Sequence, residues 1–508
     1  MKKTIKNQLI LYACVFFLGI LISLVAIIGD PIINKDGYIY LKTAQNFNDM
    51  FSKAGLYGWP FYPMMAAVLA KLLFIELKTA FLIINTFFYA AIPLISAQIF
   101  TRISQNTRQL PWAILIILCL PVINEQRSDI MRDPGFLFFS LLALFFLVRF
   151  AQTQNLRDSL YWQISIVLAF LFRSEAIVWW SVLSLGLFFL DVSMKQRFKL
   201  WLQSMSISLT MLLALLVTSM TKFELVLTLV EKFPITSYLK TMKELFSLKS
   251  DLIAHQVLKV DDEYATLVLI SGLLVLLMVK LFKTIGIVHA TVALTGFYKG
   301  PSIKRTSEHK ILLWGLAACL VTYVFFILTQ QFFVSRYAWL GAIVFILYAS
   351  LWIVPWLDRV WRQSSTIIRM LIVLVFIGSI LFRVVDTGTP KYHLVQSGIW
   401  VQNQVADSES LMVDDNRILL YGDRTKNEKN CLIYYRDLKV AAVTENWFQH
   451  FDNIIIRHKK DPDMVFDALM ADPNMVIVHE IDIEKKNGKV LFFKNKAPTP
   501  GALPCAHH

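Results

Sequence analysis

The chain has 508 residues, of which 56% are hydrophobic and only 17% charged, where a soluble protein of this length carries about a quarter charged residues. Lysine and arginine exceed aspartate and glutamate by 50 to 36, a net charge of +14. In so apolar a chain that excess belongs to cytoplasmic loops, which excludes a nucleic-acid reading and leaves a polytopic α-helical membrane protein.

The first apolar run, Leu9 to Ile28, follows the basic start MKKTIKNQ. It is too long for a signal-peptide core and lacks a small-residue cleavage site, so it reads as a retained span leaving outward. Residues 29–60 are then external, and Asp36 precedes Leu41, Ala44 and Phe47 at near-helical spacing, a helix lying in the outer interface. Asp36 either caps that helix or acts as a general base at the hydrocarbon edge, where partial desolvation suits proton abstraction from an alcohol or amine. The stretch WPFYPMMAAVLAKLLFIEL, interrupted by Pro60, Pro63 and Lys71, reads as an interfacial or re-entrant helix.

Spans follow at about Ala80–Phe100 and Leu110–Ile123, which returns NEQRSDIMRDP to the outside with Arg127, Asp129, Arg132 and Asp133. Asp133 before Pro134 could merely cap the next span, and the neighbouring charges could be solvated pairs. Outer arginines nevertheless run against the positive-inside pattern, and a guanidinium fork suits phosphate. The span from Phe136 to Phe150 and one ending near Phe172 place RSEA, with Arg173 and Glu175, at an outer junction. A sixth span returns to KQRFK, and a seventh exits near Thr221 into an external loop to Tyr264. An eighth leads to YKGPSIKRTSEHK inside. The ninth ends at QQFFVSRY, where Arg336 and Tyr337 either snorkel to headgroups or face a ligand. Two more spans, the last at about Met370–Leu381, bring the expected count to about eleven.

Residues 1–384 thus form the transmembrane domain, and 385–508 a small extracytoplasmic α/β domain. In the latter SLMVDDN, KVAAV and MVIVHEIDI read as strands between the helix-like LVQSGIWVQNQVA and DPDMVFDALM. The five cysteines include no CxxC or Cys/His cluster, so no metal site is indicated; Cys431 and Cys505 could pair in an oxidising compartment.

KDGYIYLKTA, then WPFYPMMAAVLAKLLF, then RSDIMRDPGFLFFSLLALFF, RSEA and SRY form an ordered set. It resembles the C-type glycosyltransferase fold of membrane enzymes that use polyprenyl-phosphate sugars, and within it the bacterial group similar to protein O-mannosyltransferases and the lipid A aminoarabinose transferase. The resemblance implies Asp36 as catalytic base and Asp133 as the second acidic residue. Arg336, with one of Arg127, Arg132 or Arg173, would stabilise the departing lipid phosphate. Tyr38, Tyr40, Asp129, Glu175 and Tyr337 would contact substrate. It further implies a polyprenyl-phosphate-sugar donor, a lipid, glycan or protein acceptor, no cofactor, inversion at the anomeric carbon, and a site on the periplasmic face of a bacterial inner membrane. One departure stands out: the family often has Asp-Glu where this chain has Asp36-Gly37. The competing readings are a lipid-linked substrate transporter or flippase, and a glycan polymerase or ligase. Charges gathered at one interface, without an internal repeat, weigh against transport.

Overall fold

The computed structural model describes residues 2–45, 59–210, 244, 246–258, 262–301, 306–385, 391–425, 427–433, 436–458, 463–483 and 488–499. The chain divides into two units: residues 1–25, 83–127 and 132–384 in the first, and 26–82, 128–131 and 385–508 in the second. Helices in chain order are α1 (Lys2–Gly29), α2 (Lys35–Gln45), α3 (Phe61–Leu73), α4 (Leu77–Ser104), α5 (Leu110–Leu118), α6 (Pro121–Asn124), α7 (Asp133–Thr153), α8 (Leu156–Phe172), α9 (Ala176–Ser184) and α10 (Met194–Ser204). They continue with α11 (Asp262–Ile285), α12 (Ile287–Lys299), α13 (Ser307–Gln330), α14 (Trp339–Gln363) and α15 (Thr366–Val384). Among the described residues seven helices are long and apolar enough to cross a membrane, and three shorter apolar helices accompany them. The chain is a multi-pass membrane protein.

Several expected spans are interrupted for identifiable reasons. The run expected as one span from Leu110 to Ile123 stops at α5, because Leu120 is extended (φ −60, ψ 132) ahead of Pro121, which bars its predecessor from the helical region. The expected eighth span is two helices, α11 and α12, joined at Gly286 with φ +79, a left-handed conformation that glycine adopts without a Cβ penalty. The end of the seventh span, most of the loop after it, and Cys505 lie outside the described residues. Cys431 is disulfide-bonded.

In the first unit α7 and α8 form an antiparallel hairpin. Gln154 ends α7 in a left-handed cap (φ 53), and the Asn155 side chain accepts from Arg157 N to start α8. The close approach at the other end of the hairpin depends on Gly135, where an added Cβ would come within 2.2 Å of the Phe172 ring. In a membrane, such close packing of small residues replaces the hydrophobic drive that water would supply.

The second unit contains α2, α3 and the C-terminal segment. The latter holds α16 (Tyr392–Gln404), β1 (Leu411–Val413), α17 (Asn416–Tyr421), β2 (Asn430–Leu432), α18 (Arg436–Thr444), β3 (Asn453–His458), α19 (Met464–Ala471), β4 (Met475–Ile483) and β5 (Gly488–Asn495). The sheet order is β2-β1-β3-β5-β4, with β1 parallel to β2 and β3, and β5 antiparallel to β3 and β4. Side chains alternate across it: Met412, Ile454, Ile456, Leu491 and Phe493 pack with Val465 and Leu469 of α19 on one face. Leu411, Val413, Ile455, Val490 and Phe492 pack with Leu394 and Val401 of α16 on the other. This period of two is the signature of a sheet covered on both faces. KVAAV, expected as a strand, lies in α18; its paired alanines favour helix.

Candidate functional site

Apart from Arg127, the candidate residues fall into two clusters, each within one unit. In the second unit Asp36 occupies the first turn of α2, half-buried, where a carboxylate meets the positive end of the helix dipole. The expected helix is present at the expected place. Gly37 behind it leaves no room for a side chain: a Cβ would lie 2.5 Å from Asn34 Oδ1 and 3.0 Å from Ile130 and Ile33. Asn34 causes this crowding by pairing with the 128–131 segment. Its Nδ2 donates to Ile130 O (3.2 Å) and its Oδ1 accepts from Ile130 N (2.9 Å), which also places half-buried Asp129 next to that pairing in sequence. A glutamate at position 37 would crowd this pairing.

Tyr38 and Tyr40 are both buried on α2. Tyr40 meets Tyr62 of α3 edge-to-face at 5.1 Å, and Tyr62 meets Phe81 at 4.9 Å, an aromatic wedge that sets the angle of α2 on α3. Burial pushes the Tyr38 phenol up to about 12, so it is neutral at physiological pH.

Behind α2 stands a charged network that sequence reasoning passed over. Asp415 caps α17 and accepts two bonds from Arg417 (2.9 and 2.8 Å), with Arg457 of β3 at 2.9 Å; Asp414 pairs with Arg457 at 3.2 Å. It fixes α17 at the carboxyl ends of the parallel strands. Tyr421 of α17 then accepts a bond from Ile33 N (3.0 Å), just ahead of α2. The signal available was DDNR directly after an apolar strand.

In the first unit the hairpin brings Asp133 to Arg173. Asp133 does not cap α7; Arg132 holds the N-cap position without a capping bond, and the Asp133 carboxylate accepts from Arg173 Nη1. Arg173 also reaches Glu175 through Nε (3.3 Å) and Nη2 (2.5 Å), a fork-to-carboxylate contact. Both members of the Asp133–Arg173 pair are only 6% exposed at the side chain. Burial by itself would raise the Glu175 carboxyl; the Arg173 guanidinium reverses this and, with Arg132 acting in the same direction, brings it down to about 2. The Tyr337 ring lies 4.6 Å from the Arg173 guanidinium and 5.5 Å from that of Arg336. Trp179, Tyr323, Phe326 and Leu340 are among the residues lining a small pocket beside Arg173 and Glu175. Those four apolar and aromatic positions carried no sequence signal distinguishing them from ordinary span residues.

Arg127 stands apart from this cluster. It is 1% exposed, and two of its three nitrogens bond protein acceptors: Nε to Asn124 Oδ1 (2.9 Å), Nη1 to Gly19 O (2.9 Å) and Ser23 Oγ (2.8 Å), with the Tyr89 ring 5.4 Å away.

No protein-family model and no curated protein matches the chain by sequence. Among solved structures it is similar to the Archaeoglobus fulgidus oligosaccharyltransferase tethered with an acceptor peptide, at 13% identity and TM-score 0.55, covering 90% of this chain and 68% of that one. The mycobacterial arabinofuranosyltransferase AftD follows at 12% identity and TM-score 0.45 over 95% of this chain and 41% of that. ArnT from Cupriavidus metallidurans bound to undecaprenyl phosphate gives 10% and 0.41 over 96% and 98%. The first likeness shows the fold: the chain has the C-type glycosyltransferase architecture that its motifs resemble.

Proposed function

We propose that the protein is a membrane glycosyltransferase that moves a sugar from a polyprenyl-phosphate donor to an extracytoplasmic lipid, glycan or protein acceptor. The observation that carries this reading is the composition of the first-unit cluster. Arg132, Arg173 and Arg336 gather with Asp133, Glu175 and the Tyr337 ring at the edge of apolar helices, and guanidinium forks in that setting suit a lipid phosphate. In this reading Arg132 and Arg336 contact the phosphate, and Arg173, which binds two carboxylates, orders the cluster. Arg127, enclosed by protein acceptors, is the weakest of the four candidates for that role. The glycosyltransferase architecture supports the same reading as an analogy of fold.

In this mechanism Asp36 accepts the proton of the acceptor's attacking group, and Asp129, Tyr38 and Tyr40 border the acceptor. A phosphate leaving group departs as an anion and needs no proton, so one base and cations on the phosphate suffice, and direct displacement inverts the anomeric centre. The proposed setting is a bacterial inner membrane with this chemistry on its outer face.

The test is turnover of a radiolabelled polyprenyl-phosphate sugar by purified protein. Asp36→Asn should lower transfer by about a hundredfold or more, the usual scale for losing a general base. A folded Asp36→Asn protein with near-normal turnover removes Asp36 from the mechanism. A wild-type protein that moves labelled lipid across vesicles without transferring its sugar would instead favour the flippase reading.

A further inference from the structure

Helix α16 buries Leu394 and Val401 against the sheet and Gly398 against Tyr421 of α17, and leaves Gln396, Trp400, Asn403 and Gln404 at i, i+4, i+7 and i+8 along one more open face. With His479 and Glu480 of β4 these residues line an open groove of about 470 Å³. Its floor is aromatic and braced. The Trp400 and His479 rings are parallel within 5° with centroids 5.9 Å apart, so they lie offset and share one orientation. Phe492, fully buried in the core, supports both from below, at 4.5 Å from Trp400 and 5.1 Å from His479.

From this geometry we infer a saccharide-binding subsite on the C-terminal α/β segment, taking a neutral sugar ring between α16 and β4. A sugar ring has an apolar C–H face that packs on a flat aromatic surface, and a hydroxyl rim that needs donors and acceptors together. Side-chain amides supply both, and three of them border the platform. The groove carries no uncompensated charge to select an ionic ligand. Between Tyr392 and Gln404 there is no Asp, Glu, Lys or Arg, and Glu480 is held by Lys489 at 2.5 Å. An extended peptide added to β4, the last strand of the described sheet order, is the competing occupant. The register shift between Ile477 and His479 bends that strand at the groove and works against regular pairing.

The subsite stands independently of the transfer chemistry proposed for Asp36, because its test reads retention and not turnover. The full-length protein in lipid nanodiscs, free of glycoside detergent, is applied to an immobilised array of neutral hexose and N-acetylhexosamine oligosaccharides. Wild type should be retained on a subset of them. Trp400→Ala should weaken that retention by about tenfold or more, through loss of the stacking surface. Because Trp400 touches the core, the exposed pair Asn403→Ala and Gln404→Ala serves as the second variant. It should weaken retention by about fivefold with an unchanged melting temperature, from two lost hydrogen bonds. Failure of wild type to retain any neutral oligosaccharide overturns the inference. So does retention that neither variant alters, and so does Trp400-dependent capture of an extended peptide library in place of glycans.

Discussion

Replacing Arg173 by methionine isolates the central ion cluster, because the stem is kept and only the guanidinium is lost. The wild-type cation neutralises two carboxylates, one of them, Asp133, just 6% exposed at the side chain. For Glu175 the guanidinium, with Arg132 acting in the same direction, lowers the carboxyl from its ordinary 4.5 to about 2, a difference worth at most about 3 kcal/mol at neutral pH. Asp133 would be left as an uncompensated buried charge, so the whole cost should reach about 3–5 kcal/mol. The sign with pH follows from the depressed Glu175 value: the stabilisation is fully present above its ordinary value and is lost as pH falls toward about 2. The gap between wild type and Arg173→Met should therefore be widest near neutrality and close on acidification. Equilibrium unfolding in mixed micelles, with Asp133→Asn and the double variant, completes a thermodynamic cycle. The double variant should recover about 1–3 kcal/mol relative to the sum of the single changes. Additive losses, or an Arg173→Met protein within about 0.5 kcal/mol of wild type, would show that the cluster is a solvated surface group and refute the reasoning.

Other outcomes are equally open to measurement. Gly37→Glu, which restores the family's acidic pair, should destabilise by about 1–3 kcal/mol in the same unfolding assay, because its Cβ meets Asn34 Oδ1 at 2.5 Å. Arg336→Lys should slow sugar transfer or weaken donor binding by about 1–3 kcal/mol if the guanidinium grips phosphate; equal activity of the lysine form would return Arg336 to an interface anchor. Cysteines introduced at Ser128 and at exposed Thr107 should label from opposite faces of the membrane, and same-face labelling would break the expected topology.

What could be read in advance divides along physical lines. Apolar runs report span length directly, so α1, α4, α7, α13, α14 and α15 stand where they were expected. Interruptions inside a run were harder. Gly286 sits among Lys280, Lys283 and apolar residues, and nothing in residue type announces that it adopts φ +79. The alternation in β4 and the amphipathic periods of α16 and α19 marked an α/β segment, but its strand order depends on long-range pairing, and three of its strands, β2, β3 and β5, escaped notice. The charged motifs were visible as residue types; their partners were not. Asp133 and Arg173 are forty positions apart and meet only because a hairpin intervenes with a glycine at its tight end. Arg127 looked like Arg132 by composition, yet one is sealed in protein and the other is half-buried.

The enclosure of Arg127 bears on how the chain is built. Two of its hydrogen-bond acceptors, Gly19 O and Ser23 Oγ, belong to α1, and Gly19 is pressed so close to Ala90 that a Cβ would lie 2.8 Å from its Cα. Helix α1 is synthesised about a hundred residues before Arg127 emerges, so during biogenesis it must stay beside α4 and wait for its cation. A guanidinium arriving at an occupied or dispersed α1 would face hydrocarbon instead. The first helix is thus an assembly partner and not an interchangeable anchor. Exchanging it for an unrelated apolar segment of equal length should leave insertion intact while sending the chain to quality-control proteolysis.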